Sequence, residues 1–109
     1  MALLPIPYEG GVSWGKGAAE APDWIIEASA YLELYDEVLN REACRMGITT
    51  VAPPALPSDP EVAQDVLYRF VRELLDTGKL PVMLGGDHSI STALVKARRW
   101  LSEKRLLST

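Results

Sequence analysis

The chain has 109 residues, 48% hydrophobic and 24% charged, with a formal net charge of −4. That is enough for one small domain with a core, and the acidic balance argues against general attraction to nucleic acid. A single cysteine, Cys44, excludes an internal disulfide and makes a reducing compartment, the cytoplasm, the default expectation; no apolar run approaches the ~18 residues of a membrane span.

Leu3–Ile6 is a short apolar run readable as a first strand. Pro5 and Pro7 predict that it is an edge or frayed strand at best. The start lacks a basic region and a long apolar stretch, so no signal peptide is expected. Glycines at 10, 11, 15 and 17 make Tyr8–Gly17 a loop. It lacks the Gly-Lys-Ser/Thr of a phosphate-binding P-loop. Tyr8, Ser13 and Trp14 suit a pocket lining and equally a surface loop.

Glu20 to about Leu34 reads as a helix, with Pro22 in its first turn and Glu20 and Asp23 near its positive end. Trp24, Ile25, Ala28, Tyr31 and Leu32 recur at helical spacing, and core packing is expected of them. Leu34–Leu39 is a candidate extended crossing, and Arg41–Met46 a polar connection closed by Gly47. Ile48–Ala52 is rich in β-branched residues and reads as a strand, ended by Pro53, Pro54 and Pro57. Ser58-Asp59-Pro60-Glu61 then opens a helix running to about Thr77. Val62, Val66, Phe70 and Leu74 form one apolar row, with Ala63, Leu67, Val71 and Leu75 beside it. Gly78 supplies the C-terminal cap.

Leu80–Leu84 is apolar on both faces, as in a strand buried in the middle of a parallel sheet. Gly85 and Gly86 permit a turn that residues with a β-carbon resist. Asp87 and His88, the one histidine, follow at the carboxyl end of the strand, where open α/β sheets place their ligands. Three readings stand side by side: a site built on His88, a plain turn whose Asp87 caps the next helix, and a nest of backbone amides at 85–89 that takes an anion. Ser89 or Ser91 can cap a last helix, in which Ala93, Leu94, Ala97, Trp100 and Leu101 keep helical spacing and Leu106 to Thr109 trail off. The acidic excess lies before residue 88, and Lys96, Arg98, Arg99, Lys104 and Arg105 face only Glu103 after it. Cys44 has no histidine nearby in sequence and reads as a structural thiol. Alternating strands and helices give an α/β pattern with right-handed crossovers.

Two segments resemble the ureohydrolases, the arginase–agmatinase group of manganese enzymes, and agmatinase-like members most closely. Leu4-Pro5-Ile6-Pro7-Tyr8-Glu9-Gly10-Gly11-Val12-Ser13-Trp14-Gly15-Lys16-Gly17 looks like the N-terminal glycine-rich segment of that family. Leu84-Gly85-Gly86-Asp87-His88-Ser89-Ile90 looks like its first metal-binding motif. The resemblance covers about residues 3–95 of a single partial domain over 1–109, leaving 96–109 as a divergent basic tail. It implies a three-layer α/β/α sandwich with a mainly parallel sheet, and hydrolysis of a guanidinium compound, agmatine, to urea and putrescine, a step of polyamine biosynthesis. It also implies two Mn²⁺ ions, with His88 as a metal ligand, Asp87 fixing the loop behind it, Gly85 and Gly86 forming the turn, and the Tyr8–Gly17 loop near the mouth of the site. The family's later Asp-x-His-x-Asp and Asp-x-Asp motifs have no counterpart here, and one imidazole cannot hold two ions. The expectation is therefore an N-terminal portion, by truncation, frame-shift or fragmentation, that is inactive alone. The alternative is a non-catalytic remnant that associates with itself through exposed sheet edges, with no nucleic-acid or membrane partner.

Overall fold

Alternation at Ala2, Leu4 and Ile6 places fully buried side chains on one face of the first strand, β1 (Ala2–Ile6). In the computed structural model, which describes residues 1–10 and 16–108, β1 lies between two parallel neighbours, β4 (Thr49–Thr50) and β5 (Pro81–Gly85). Its buried face joins one core with Ala63, Leu67, Val71, Leu74 and Leu75 of α2 (Pro60–Asp76) and Ala93, Ala97 and Leu101 of α3 (Ser91–Leu107). A parallel sheet flanked by helices is the expected α/β sandwich.

The middle place of β1 corrects the expectation of an edge strand. The Ala2 N–H donates to the Leu80 carbonyl at 2.8 Å, and the Ile6 carbonyl accepts from the Gly86 N–H at 3.1 Å. Even-numbered residues of β1 therefore face β5, and odd-numbered ones face β4. The Val51 N–H reaches the Leu3 carbonyl at 2.9 Å, and the next rung on that side would need an N–H from residue 5. Proline has none, so pairing with β4 stops there and the ladder to β5 stays whole. The expectation for β5 is corrected in the opposite sense. Among the described residues it pairs only with β1, and it is half-buried along its whole length. Its two apolar faces record burial by flanking elements, which an edge strand shares with a central one.

The first long helix is shorter than its periodicity suggests. A 3₁₀ turn at Ala18–Glu20 leads into α1 (Ala21–Ser29). The N–H groups of Ala30, Tyr31 and Leu32 then bond three residues back, to Glu27, Ala28 and Ser29, which tightens and ends the helix. The Ser29 hydroxyl also donates to the Ile26 carbonyl at 2.5 Å. Tyr31 and Leu32 thereby leave the helical stripe, at 89% and 69% exposure. Trp24 and Ile25 are exposed too, so the expected core packing of this stripe does not occur; Pro22 is the buried residue of α1. The candidate crossing at Leu34–Leu39 is an antiparallel arm made of β2 (Tyr35–Asp36) and β3 (Arg41–Glu42). Asp36 closes its turn by accepting from the N–H groups of Val38 and Leu39, both at 2.9 Å.

The start of α2 follows its sequence signal. The Asp59 side chain accepts from the Glu61 N–H at 2.9 Å and the Val62 N–H at 3.4 Å, with Pro60 in the first turn. Gly78 follows the helix at φ 81, a left-handed position that suits glycine. Of the two apolar rows, the one from Ala63 to Leu75 is the core row. Val62 is exposed, and Val66 and Phe70 are half-buried. On α3, Trp100 lies under the guanidinium of Arg72 at 3.9 Å and the ammonium of Lys104 at 4.8 Å, which ties α3 to α2. The helix persists to Leu107, past the expected fraying at Leu106. No described helix is long and apolar enough to cross a membrane.

Burial ranks the two rows of α2. Leu67→Ala should cost about 2–5 kcal/mol in urea unfolding, and Val62→Ala less than about 1 kcal/mol. Equal losses would contradict the assignment of the core row.

Candidate functional site

The carboxyl end of β5 is fixed by backbone before any side chain takes part. The Gly86 N–H donates to the Ile6 carbonyl at 3.1 Å, and the Asp87 N–H donates to the Tyr8 carbonyl at 2.8 Å. These bonds join the two separated sequence motifs. A β-carbon on Gly86 would fall on the Tyr8 carbonyl oxygen and 2.9 Å from its carbon. Neither Gly85 nor Gly86 has a positive φ, so their role is close approach and not an unusual turn conformation. At Gly85 the obstacle is the tip of Ile90, 2.6 Å from the position of a β-carbon.

Asp87 caps the next turn. Its carboxylate accepts from the Ser89 N–H at 2.8 Å and from the Ser89 hydroxyl. A 3₁₀ turn, His88–Ile90, results, and α3 follows it directly. Asp87 thus caps the turn, in agreement with one of the sequence readings, while α3 itself starts at Ser91 with no side-chain cap from Ser89 or Ser91. Ile90 is buried and anchors the turn, and the Gln64 side-chain amide of α2 donates to the Ser89 carbonyl at 2.7 Å. His88 is left exposed at the rim of a hollow of about 350 Å³, lined also by Met83, Gly86, Asp87, Ser91 and Leu94. The amides of Gly86, Asp87 and Ser89 are all engaged within the chain. An anion nest at 85–89 would have to do without those three donors.

Tyr8, which opens the glycine-rich segment, meets the same strand end through its carbonyl. Ser13 and Trp14 of that segment lie outside the described residues. Glu9, which the sequence reading passed over, accepts from the N–H groups of Gly17 at 2.9 Å and Ala19 at 3.3 Å. These bonds, and the Lys16 charge after them, hold its carboxyl below the usual carboxylate range. Sequence offers no signal for such a contact, because a carboxylate capping amides eight and ten residues on depends on the path of the loop. The Tyr8 hydroxyl is buried with no hydrogen-bond partner among the described residues.

No group of three or more His, Cys, Asp or Glu among the described residues is placed to share a metal ion. Other aspartates have structural duties: Asp36 closes the β2–β3 turn, Asp59 caps α2, Asp65 pairs with Arg69 at 3.0 Å, and Asp76 lies 3.5 Å from Lys104. One exposed imidazole does not fit a two-manganese site by itself. Cys44, half-exposed in a 3₁₀ turn remote in sequence from His88, adds no ligand to a cluster.

Gly86→Ala should lower the stability of the chain by about 2 kcal/mol or more, since the backbone contact must open. Gly17→Ala, where no atom of the described residues crowds the β-carbon, tests the contrast: its cost should be the smaller, about 1 kcal/mol, from the positive φ of 113. Glu9 has a lowered folded pKa. It stabilises the fold above the ordinary glutamate range, and that contribution disappears as pH falls through the folded value. Glu9→Gln should therefore lower the unfolding midpoint near neutral pH and flatten its decline in acid. Parallel pH profiles for the two proteins would contradict this.

Comparison with known proteins places the chain in a family. The arginase family model matches residues 1–106. An N(1)-aminopropylagmatine ureohydrolase of Synechocystis sp. is 39% identical over 107 residues, covering 89% of this chain and 34% of its own length. Agmatinase of Bacillus subtilis is 30% identical over 96 residues, covering 87% of this chain and 33% of its own. The crystal structure of the agmatine ureohydrolase of Thermoplasma volcanium superposes with a TM-score of 0.79 at 30% identity, over 88% of this chain and 33% of that one. A Clostridium difficile structure agrees in fold, with a TM-score of 0.78 at 21% identity. The chain thus spans about a third of the length of the curated relatives it matches. With its two motifs joined at the end of β5, the chain belongs to the arginase family.

Proposed function

We propose that this chain contributes one metal ligand, His88, to a manganese-dependent ureohydrolase site and does not complete that site alone. The observation that carries the reading is the exposed imidazole on a turn held by Asp87, at the carboxyl end of a parallel strand. Asp87 spends its carboxylate on Ser89, which leaves it to position the loop behind the ligand. Mn²⁺ is the favoured metal because imidazole, carboxylate and water all ligate it. When bound, a metal pair lowers the pKa of water so that a hydroxide exists at neutral pH. No group of three or more candidate ligands gathers at His88 among the described residues, so no step of that chemistry is assigned to them.

The favoured substrate is a guanidinium compound of the agmatine type, hydrolysed with water to putrescine and urea, as in polyamine biosynthesis. The names of the Synechocystis and Bacillus relatives support the class and leave open whether an aminopropyl group is carried. A cytoplasmic site of action is supported by the single cysteine. The second reading, a non-catalytic remnant that associates with itself, is favoured by the apolar residues Tyr31, Leu32, Val38 and Leu39 standing in solvent.

The expected outcome is no urea release when the 109-residue chain is incubated with agmatine and Mn²⁺. Turnover that disappears in His88→Ala would contradict the claim that the site is incomplete.

A further inference from the structure

Ser89 is gripped from two sides. Its N–H and hydroxyl donate to the Asp87 carboxylate, and its carbonyl accepts from the side-chain amide of Gln64, on α2, at 2.7 Å. A carbonyl can only accept, so the atom that faces it is the Gln64 nitrogen, and the chemistry fixes which way the amide points. The other end of that amide, Oε1, is buried with no hydrogen-bond partner among the described residues. An unpaired buried acceptor costs stability, and an apolar side chain in the same place would not carry that cost.

Gln64 is half-buried and follows Ala63 of the core row, near the start of α2. Helix packing gives no reason for an amide there. Its side chain spends its donor on the turn after β5, twenty-five residues further on. The start of α2 is itself set by the Asp59 carboxylate, as the turn before α3 is set by Asp87. One side chain therefore joins two capped starts, and the residue between Asp87 and Ser89 is His88. Asp87 closes the turn on itself, and Ile90 anchors it by burial, which has no direction. The Gln64 bond adds direction, because its donor has to approach the Ser89 carbonyl along a preferred line.

We propose that Gln64 is a positioning residue for His88: it holds the His88–Ile90 turn against α2, and its identity serves the turn and not the packing of the helix. On the reading of His88 as a ligand, on which this rests, Gln64 keeps the residue that carries the imidazole in place before a metal arrives.

The test is amide hydrogen exchange with NMR relaxation on the whole chain in chelator, for the unaltered protein, Gln64→Met and Gln64→Lys. Methionine matches glutamine in length and removes both the donor and the unpaired acceptor. Lysine returns a donor without an acceptor. A hollow of about 630 Å³ between α2 and α3, lined by Gln64, Glu61 and Asp65 as well as Lys96, has room for it and carboxylates to offset its charge. In Gln64→Met the Ser89 amide should exchange about fivefold faster or more, and the His88 backbone should become more mobile, while the buried Val71 of α2 keeps its amide protection or gains some. Gln64→Lys should restore the protection at Ser89. Unchanged Ser89 exchange in Gln64→Met would overturn the proposal. So would equal acceleration at Ser89 and Val71, the result for a glutamine that only stabilises the fold, or a lysine variant as loose at Ser89 as the methionine one. No metal is present, so the result stands apart from whether His88 binds one, which Mn²⁺ broadening of its imidazole resonances reads separately.

Discussion

Two amide protons, those of Gly86 and Asp87, cross from the second motif to the carbonyls of Ile6 and Tyr8 in the first. Residues almost eighty positions apart are thereby locked backbone to backbone. The contact is possible because residue 86 has no β-carbon to strike the Tyr8 carbonyl. Everything at the strand end inherits its position from this seam. Asp87 is oriented by its own N–H and then caps the turn through its side chain, and His88 stands where that cap puts it. The seam also holds β1 beside β5, and Ala2, Leu4 and Ile6 of β1 are fully buried.

The helices secure the seam from one side. α2 packs its Ala63–Leu67–Val71–Leu75 row against β1 and α3, and Gln64 on the same helix reaches the Ser89 carbonyl behind the turn. Trp100, with the cations of Arg72 and Lys104 over its ring, ties α3 to α2. The carboxylates of Asp36, Asp59, Asp65 and Asp76 serve caps and surface pairs, far from the role of a ligand. His88 is therefore a ligand candidate without companions in the described residues, even though the scaffold that presents it is well formed.

Much of this was legible in the residues. Asp59-Pro60-Glu61 marked the start of α2, Gly78 its end, and the Gly85–Ile90 run the turn at the end of β5. The family resemblance rested on the two motifs that the structure brings into contact. Order within the sheet was not legible. Pro5 looked like an edge signal because a sequence does not tell which neighbour a strand residue faces, and Pro5 faces the side on which pairing has ended. β5 looked central because an apolar run reports burial of its faces and says nothing of its edge. The stripe from Trp24 to Leu32 failed for a different reason: periodicity continued while the backbone tightened into bonds three residues back. Glu9 and Gln64 were invisible because each acts on backbone groups brought near only by the fold.

The turn that carries His88 is held by the backbone seam, and on the proposed reading that shape precedes any metal. Hydrogen exchange at the Asp87 amide in chelator-treated protein measures this most directly. The amide should be protected almost to the level of global unfolding, and added Mn²⁺ should leave that protection unchanged. An Asp87 amide that exchanges freely without metal and becomes protected only when Mn²⁺ is added would show that the metal, and not the Tyr8 carbonyl, builds the turn.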